Sequence, residues 1–382
     1  MKGKRGIILD HIMDIDMAKE LYLRAQFDRS FLLFQKLASR GNGEAMYFLG
    51  EFYSQGYGHV SQDIKKGKSW REKGADAGNL LAKLNTAYHL PSNSPRRQEM
   101  TASLFPDILA QSEKGDIFAQ NELADMYLYG MGTKKNTGEA LRWLECAGAA
   151  GFWRPLNKLG EVYQYGEGVS PDEEKARCYF ARAAAIGYGD AEGNLAMCYY
   201  RAGDPAKAAA LLRRAFAHGA LYEGDIANML GIIYIEGQGV KENERAGFAW
   251  LQRAADFGSV AGMNHLAICY EKGLGTAVNE EMAAEWSRKA ADRGHTEAAV
   301  RYGIFLRERG KLGASLSYFK KSAEKGNADG ETWYASCFLF GIGTKADPET
   351  AALWLNKAAG QGHEGAVKLL KEELGVDYIK KS

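Results

Sequence analysis

The chain has 382 residues, with 49 basic and 48 acidic side chains and a formal net charge of +1. Such a balance gives no global basic field for nucleic acid or an anionic membrane, and no apolar run approaches the roughly 18 residues of a membrane-spanning helix. Glycine is abundant (45) and proline scarce (7), a pairing that fits helices punctuated by glycine turns and not a disordered Pro/Gly-rich polymer.

The N-terminus starts basic, but its apolar run, Ile7-Ile8-Leu9, stops at Asp10. That is too short for the apolar region of a signal peptide, so a cytoplasmic chain without membrane insertion is expected. Residues 1–16 read as an extension. From residue 17 to 365 the sequence repeats itself about every 36 residues, around a signature aromatic at Tyr22, Tyr53, Tyr88, Tyr127, Tyr163, Tyr199, Tyr234, Tyr270, Leu306 and Phe338. The expectation is one continuous array of about ten helix-turn-helix units, irregular around 80–115, with residues 366–382 forming a capping helix and tail.

The first unit is incomplete. Its helix A is expected near 15–26 and its helix B from Phe31 to Arg40, closed by Gly41, which makes it a cap with a face that tolerates water. In the third unit the central turn is replaced by Pro91-Ser92-Asn93-Ser94-Pro95-Arg96-Arg97, and Pro106 falls where helix B should run. A longer connection is expected there.

The fifth unit shows the full pattern. Pro155, Leu159, Val162 and Tyr163 share one face of helix A, and Gly160 suits close approach of a neighbouring helix. Gly166 and Gly168 reverse the chain. Helix B starts near Pro171-Asp172, buries Ala176, Tyr179, Ala183 and Ala184, and closes at Gly187. An aromatic stands eight residues before the closing glycine in most full units (Trp70, Trp143, Trp250, Trp286, Trp354) and is expected to be the peg that locks A onto B. The sixth and ninth units lack the Gly-x-Gly turn. A last helix, about Glu364 to Leu374, places Val367, Leu370 and Leu374 on one face.

Leu-Gly-x-x-Tyr, the Gly-x-Gly-Val turn, Glu174-Lys175-Ala176 and the closing Ala-Ala-x-x-Gly together resemble the Sel-1-like repeat, a relative of the tetratricopeptide repeat. The resemblance implies an all-α fold, a right-handed α-solenoid superhelix with helix A on its concave side. It also implies an adaptor in protein complexes, signalling or host interaction. Disulfide-rich members pair helix A and helix B cysteines within a unit. Cys198, Cys269 and Cys337 sit just before the signature aromatic with no helix B cysteine in their own units, and read as small core residues.

No residue pattern carries catalysis, a cofactor or a metal. The Gly-x-Gly pairs follow helices and not strands, which is wrong for a dinucleotide loop, and the seven histidines are dispersed, with no i, i+4 ligand pair among them. The chain is therefore expected not to be an enzyme. Function is sought at the helix A positions that face away from helix B, two before, two after and five after the signature leucine. These supply the candidate partner-binding residues Asn121, Asp125, Asn157, Glu161, Met197, Tyr200, Asn228, Ile232, Ile235, Asn264, Ile268 and Ile304.

Acidic groups (Glu51, Asp125, Glu161) hold the central position in the first half, and Met197, Ile232, Ile268 and Ile304 hold it later. Four asparagines share one register, where an amide can pair with the backbone of an extended peptide. Two readings remain open. In one, the strip is a groove for a partner protein or peptide. In the other, the same residues pack unit against unit, with the asparagines as a ladder. Other roles left open are a regulator or subunit of an enzyme complex, with Arg96-Arg97 reaching a phosphate or carboxylate, and a host-interaction adaptor exported without a signal peptide.

Overall fold

The structure, a computed structural model, describes residues 14–376, and every regular element among them is an α-helix. Of the expected extension 1–16, residues up to 13 lie outside the described residues, as does the tail from 377 with Lys380 and Lys381, while 14–16 already belong to the first helix. The chain divides into two compact units, Met1–Tyr222 and Glu223–Ser382.

Unit 1 contains six helical hairpins. They pair α1 (14–23) with α2 (Phe27–Ala38), α3 (Gly43–Gln55) with α4 (Ile64–Asp76), α5 (Leu80–Tyr88) with α6 (Pro95–Glu113), α7 (Ile117–Tyr129) with α8 (Thr137–Ala149), α9 (Trp153–Tyr165) with α10 (Glu173–Ala185), and α11 (Gly189–Arg201) with α12 (Pro205–Ala217). Unit 2 contains four, pairing α13 (Glu223–Glu236) with α14 (Glu244–Asp256), α15 (Val260–Lys272) with α16 (Glu280–Asp292), α17 (Thr296–Glu308) with α18 (Leu312–Ala323), and α19 (Ala328–Phe340) with α20 (Pro348–Gly360). It then adds α21 (Glu364–Leu374), on the bounds expected for the last helix.

Helices this short are marginal alone, so the hairpin depends on its turn and its packing. The turn is set by two features of the sequence. Gly166 and Gly168 sit at φ +70° and +79°, where a side chain is strained. An Asn or Asp then caps helix B. Asp63, Asn136 and Asp172 in unit 1, and Asn243, Asn279 and Asp347 in unit 2, each accept the backbone N–H three residues on. Such a cap is worth about 0.5–2 kcal/mol. The backbone N–H of the capping residue also donates to the carbonyl of the signature aromatic, as from Asp172 to Tyr163, Asn243 to Tyr234 and Asn279 to Tyr270, all 2.8 Å. That bond ties the end of helix A to the start of helix B.

The packing corrects one expectation. Trp143 is buried, but Trp70, Trp250, Trp286 and Trp354 are only half-buried, so the indole is not the general peg. The fully buried side chain is the next one along, as at Leu144, Phe180, Leu251 and Leu355. The indole lies on the outer surface of helix B beneath a basic side chain one turn on, with Lys289 3.9 Å from the Trp286 ring and Lys357 3.8 Å from the Trp354 ring. Phe180 explains the glycine beside the signature leucine, because a Cβ on Gly160 would run into its ring.

The third hairpin also departs from expectation. Its connection is short, and Pro95 opens α6 as an N-terminal proline, so Arg96 and Arg97 lie in the first helical turn and not in a long loop. The helix then runs 19 residues straight through Pro106.

The aromatic side chains of unit 1 bring distant hairpins together. Tyr22, Phe27, Tyr57, Phe152, Trp153 and Tyr188 converge, with Trp153 and Tyr188 stacked at 4.0 Å. The Trp153 indole N–H donates to the carbonyl of Tyr22, 131 residues away, at 3.2 Å. The first two hairpins thus meet the fifth and sixth, and within this unit contacts reach well beyond neighbouring repeats.

Candidate partner-binding surface

The inner-face positions of unit 1 form a charged cluster on α3, α7 and α9. Glu51, 3% exposed, is gripped from two sides. Arg71 donates to one carboxylate oxygen at 2.8 Å, and Arg154 donates to the other at 2.6 Å and to the Tyr57 hydroxyl at 2.6 Å. Burial alone would raise the Glu51 pKa, but Arg154 and then Arg71 outweigh it and hold the carboxyl at about 2. Glu51 holds the inner-face position expected of it, but both of its oxygens are bound within the fold.

Next to it lie two carboxyls in the opposite condition. Burial, reinforced by Asp125 and Glu51, pushes Glu122 up to about 8. Its oxygen accepts the Tyr47 hydroxyl at 3.2 Å. Burial also raises Asp125 to about 6, although Lys158 and Arg154 pull against it. Lys158 is shared, donating to the Tyr129 hydroxyl at 2.7 Å with its ammonium 3.6 Å from Glu161.

The asparagine register turns out to bond hairpin to hairpin. In unit 1 the Asn194 amide donates to the Asn157 oxygen at 3.0 Å, and the Asn157 amide donates to Glu161 at 2.9 Å. In unit 2 His265 Nδ1 lies 2.8 Å from the Asn228 oxygen, and Arg301 donates to the Asn264 oxygen at 2.8 Å while its Nε bonds Glu271, also at 2.8 Å. Each rung joins the residue two before the signature position of one hairpin to the residue one before it in the next. Asn121 and Asn264 are buried, at 4% and 2% exposure.

The apolar candidates are less enclosed. Ile232 and Ile268 on unit 2, and Met197 and Tyr200 on unit 1, are half-buried. Ile235 packs partly against the core of Leu251 and Leu266, and Ile304 against that of Phe319 and Val300.

Sequence reasoning missed Glu122, Asn194 and Arg301, and placed His265 at its repeat position without its bond to Asn228. All precede the signature position by one residue, and polarity there (Lys83, Glu122, Lys158, Asn194, His265, Arg301) was a signal available in the alignment of the repeats. The histidines that follow closing glycines have local work, because His295 and His363 cap α17 and α21. Cys269 and Cys337 are buried free thiols, pushed up to about 11 by burial, and Cys198 is half-buried. Arg97 is bound locally too, donating to the Leu90 carbonyl at 3.2 Å and to Met131 Sδ at 3.4 Å.

The Sel1 repeat profile matches residues 43–79, 117–152, 156–188, 227–259, 260–295, 297–327 and 328–363. The chain belongs to the Sel1 repeat family. The matched stretches skip α1 to α2, α5 to α6, where the irregular hairpin lies, and α11 to α12, which lacks the Gly-x-Gly turn, while α17 to α18, which lacks it too, is matched.

Among solved structures, this Sel1 repeat protein is similar to a protective antigen present in uropathogenic Escherichia coli strains. The TM-score is 0.67 at 26% identity, over 91% of this chain and 76% of that one. It is also similar to a Sel1 repeat protein from Oxalobacter formigenes, with a TM-score of 0.58 at 23% identity, over 89% and 88% of the two chains. An uncharacterised protein of Neisseria meningitidis serogroup B is 30% identical over 166 residues. That match spans 42% of this chain and 33% of the relative. Among the described residues no helix is long and apolar enough to cross a membrane.

Proposed function

We propose that this chain is a protein-interaction scaffold that acts by binding and not by catalysis, taking a partner protein or peptide on its helix-A face. The observation that carries this reading is the strip on α13 and α15. Ile232 and Ile268 stand partly exposed at the same position of consecutive hairpins, where solvated residues would be cheaper. Beside them the ladder fixes the spacing of the helices, because the oxygens of Asn228 and Asn264 are already bonded to the next hairpin.

The test is affinity capture with the wild-type chain and with an Ile232→Asp, Ile268→Asp double variant as parallel baits. The variant should lose the partner while its helicity and melting temperature stay at wild-type values. Equal recovery by both baits would sink the unit 2 strip as the contact surface.

Likeness to a protective antigen supports a second reading, a host-facing adaptor displayed outside the cell. Labelling of intact cells with antibody to the chain tests it, and signal only after permeabilisation counts against it.

A further inference from the structure

One arginine of unit 1 stands where the repeat places an apolar residue. Arg71 of α4 holds the position at which other hairpins bury Leu144, Phe180, Leu251, Phe319 and Leu355. Gly50 makes room for its stem, as Gly160 does for Phe180, because a Cβ there would run into Arg71 Cγ. The side chain is only 4% exposed, and its Nε, sealed from water, finds no hydrogen-bond partner. A guanidinium keeps its charge across the pH range of proteins, so one buried this far depends on the bonds its outer nitrogens make.

Two groups serve those nitrogens. One is Glu51, at 2.8 Å. The other is the ring of His89, whose Nε2 lies 2.9 Å from Arg71 Nη1. Arg71 has only N–H groups to offer, so Nε2 must accept with its lone pair, and the ring proton sits on Nδ1. A charged imidazole has no lone pair left. Protonation would also set two cations in contact at a point where Arg71 and Arg154 already outnumber the Glu51 carboxylate they share.

His89 caps the C-terminus of α5 and opens the connection to α6. Unlike Arg71 it is exposed, so its ring can turn into water. The connection is otherwise held by short-range bonds. Leu90 N–H donates to the Ala87 carbonyl at 3.1 Å, Ser94 N–H to the Pro91 carbonyl at 2.9 Å, and Arg97 to the Leu90 carbonyl at 3.2 Å. Ser92, midway along it, belongs to the wall of a cavity of about 570 Å³, together with Tyr88, Arg97 and Tyr129.

We propose that His89 is a proton-operated latch: neutral, it fastens the α5–α6 connection to the Arg71–Glu51 pair of the preceding hairpin, and charged, it lets that connection and its side of the cavity go. The latch needs no partner protein and stands apart from the scaffold reading. The charged groups that face the ring are Arg71, Lys68 and Glu72 from α4 and Glu51 from α3. Burial lowers the His89 pKa from its ordinary 6.5, Arg71 and Lys68 lower it further, and Glu51 and Glu72 pull the other way. With the folded value depressed, the latch is closed above pH 6.5 and is lost as pH falls below it.

The test uses the full chain labelled with 15N-histidine. At pH 8 the His89 ring should show a proton on Nδ1 and none on Nε2, and it should titrate below 6.5. Hydrogen exchange, corrected for the intrinsic effect of pH, should show the protection of the Leu90 and Ser94 amides falling about tenfold from pH 7.5 to pH 5.0. His89→Gln supplies an amide oxygen that accepts from Arg71 and does not titrate, so protection in this variant should stay level over the same range.

A ring that carries its proton on Nε2 at pH 8 overturns the latch, as does unchanged protection in the wild type. So does an equal fall in His89→Gln, which would place the sensing group elsewhere. The ring-nitrogen spectrum needs only the wild-type chain and decides the matter even if the variant folds poorly.

Discussion

At the central inner-face position of three hairpins each, unit 1 carries Glu51, Asp125 and Glu161, while unit 2 carries Ile232, Ile268 and Ile304, and all but Ile304 stand on a hairpin whose second helix is capped by Asn or Asp. In unit 1 distant hairpins are close enough to pair Arg154 with Glu51 across 103 residues, so that face is partly consumed by the fold. In unit 2 the polar bonds of the face are rungs between adjacent hairpins. A repeat position therefore does not have one fate, because what lies across from it decides whether its side chain becomes core or surface.

Arg154→Met strikes hardest at that difference. It leaves a 3% exposed carboxylate with one partner instead of two, and removing one member of a buried pair typically costs about 3–5 kcal/mol. Hydrogen exchange should show α3, α7 and α9 losing protection while α15 and α17 keep theirs. The matching unit 2 change, Arg301→Met, breaks an ion pair whose side chains are 27% and 50% exposed and should cost about 1 kcal/mol or less for that pair. Equal losses from the two substitutions would erase the distinction between the faces.

The pH response sharpens the comparison next. Glu122 ordinarily titrates near 4.5, and in the fold it is pushed up to about 8, so between those values the folded state holds more proton than the unfolded one. The contribution of Glu122 to the stability of unit 1 therefore falls as pH rises through this window, against the opposite contribution of His89, whose pKa is lowered by burial and Arg71. Glu51 has the opposite sign: held at about 2, it contributes stability above pH 4.5 that is lost as pH falls toward 2. Glu122→Gln should remove the alkaline-side loss, an effect of up to a few kcal/mol at pH 8, and leave the acid limb intact. Denaturant midpoints for α7 amides between pH 5 and 8 measure it, and a difference between wild type and Glu122→Gln that stays constant over that range would contradict the assignment.

Much of the hairpin was legible in advance because each of its steps is local. Gly166 and Asp172 have jobs set within one or two turns of helix, Gly160 makes room for the Phe180 ring within the same hairpin, and the closing helix was placed on its observed bounds, Glu364–Leu374. Periodicity alone could not separate Tyr179 from Phe180, because adjacent residues on a helix differ by about 100° and both are aromatic. The cluster around Glu51 was illegible for a different reason. Its partners, Arg71 and Arg154, lie 20 and 103 residues away, and nothing in a repeat register says which hairpins meet across a unit. Pro106 misled because proline is normally a helix breaker, yet α6 runs through it.

The smallest expected effect concerns what the two units share. Asn157 and Asn264 each offer an oxygen to the next hairpin, at 3.0 and 2.8 Å, one in the charged unit and one in the apolar one. Replacing either by alanine removes a single rung, worth about 1 kcal/mol, with a further penalty only if the orphaned donor cannot reach water. Asn194 and Arg301, the two donors, are both half-buried, so the penalty should be small and similar in each unit. Matching shifts in the denaturant midpoint for Asn157→Ala and Asn264→Ala would mark the ladder as generic repeat structure, independent of what each face binds. A much larger loss at Asn157, whose amide also donates to Glu161, would instead tie that rung into the charged cluster and make it part of the unit 1 surface.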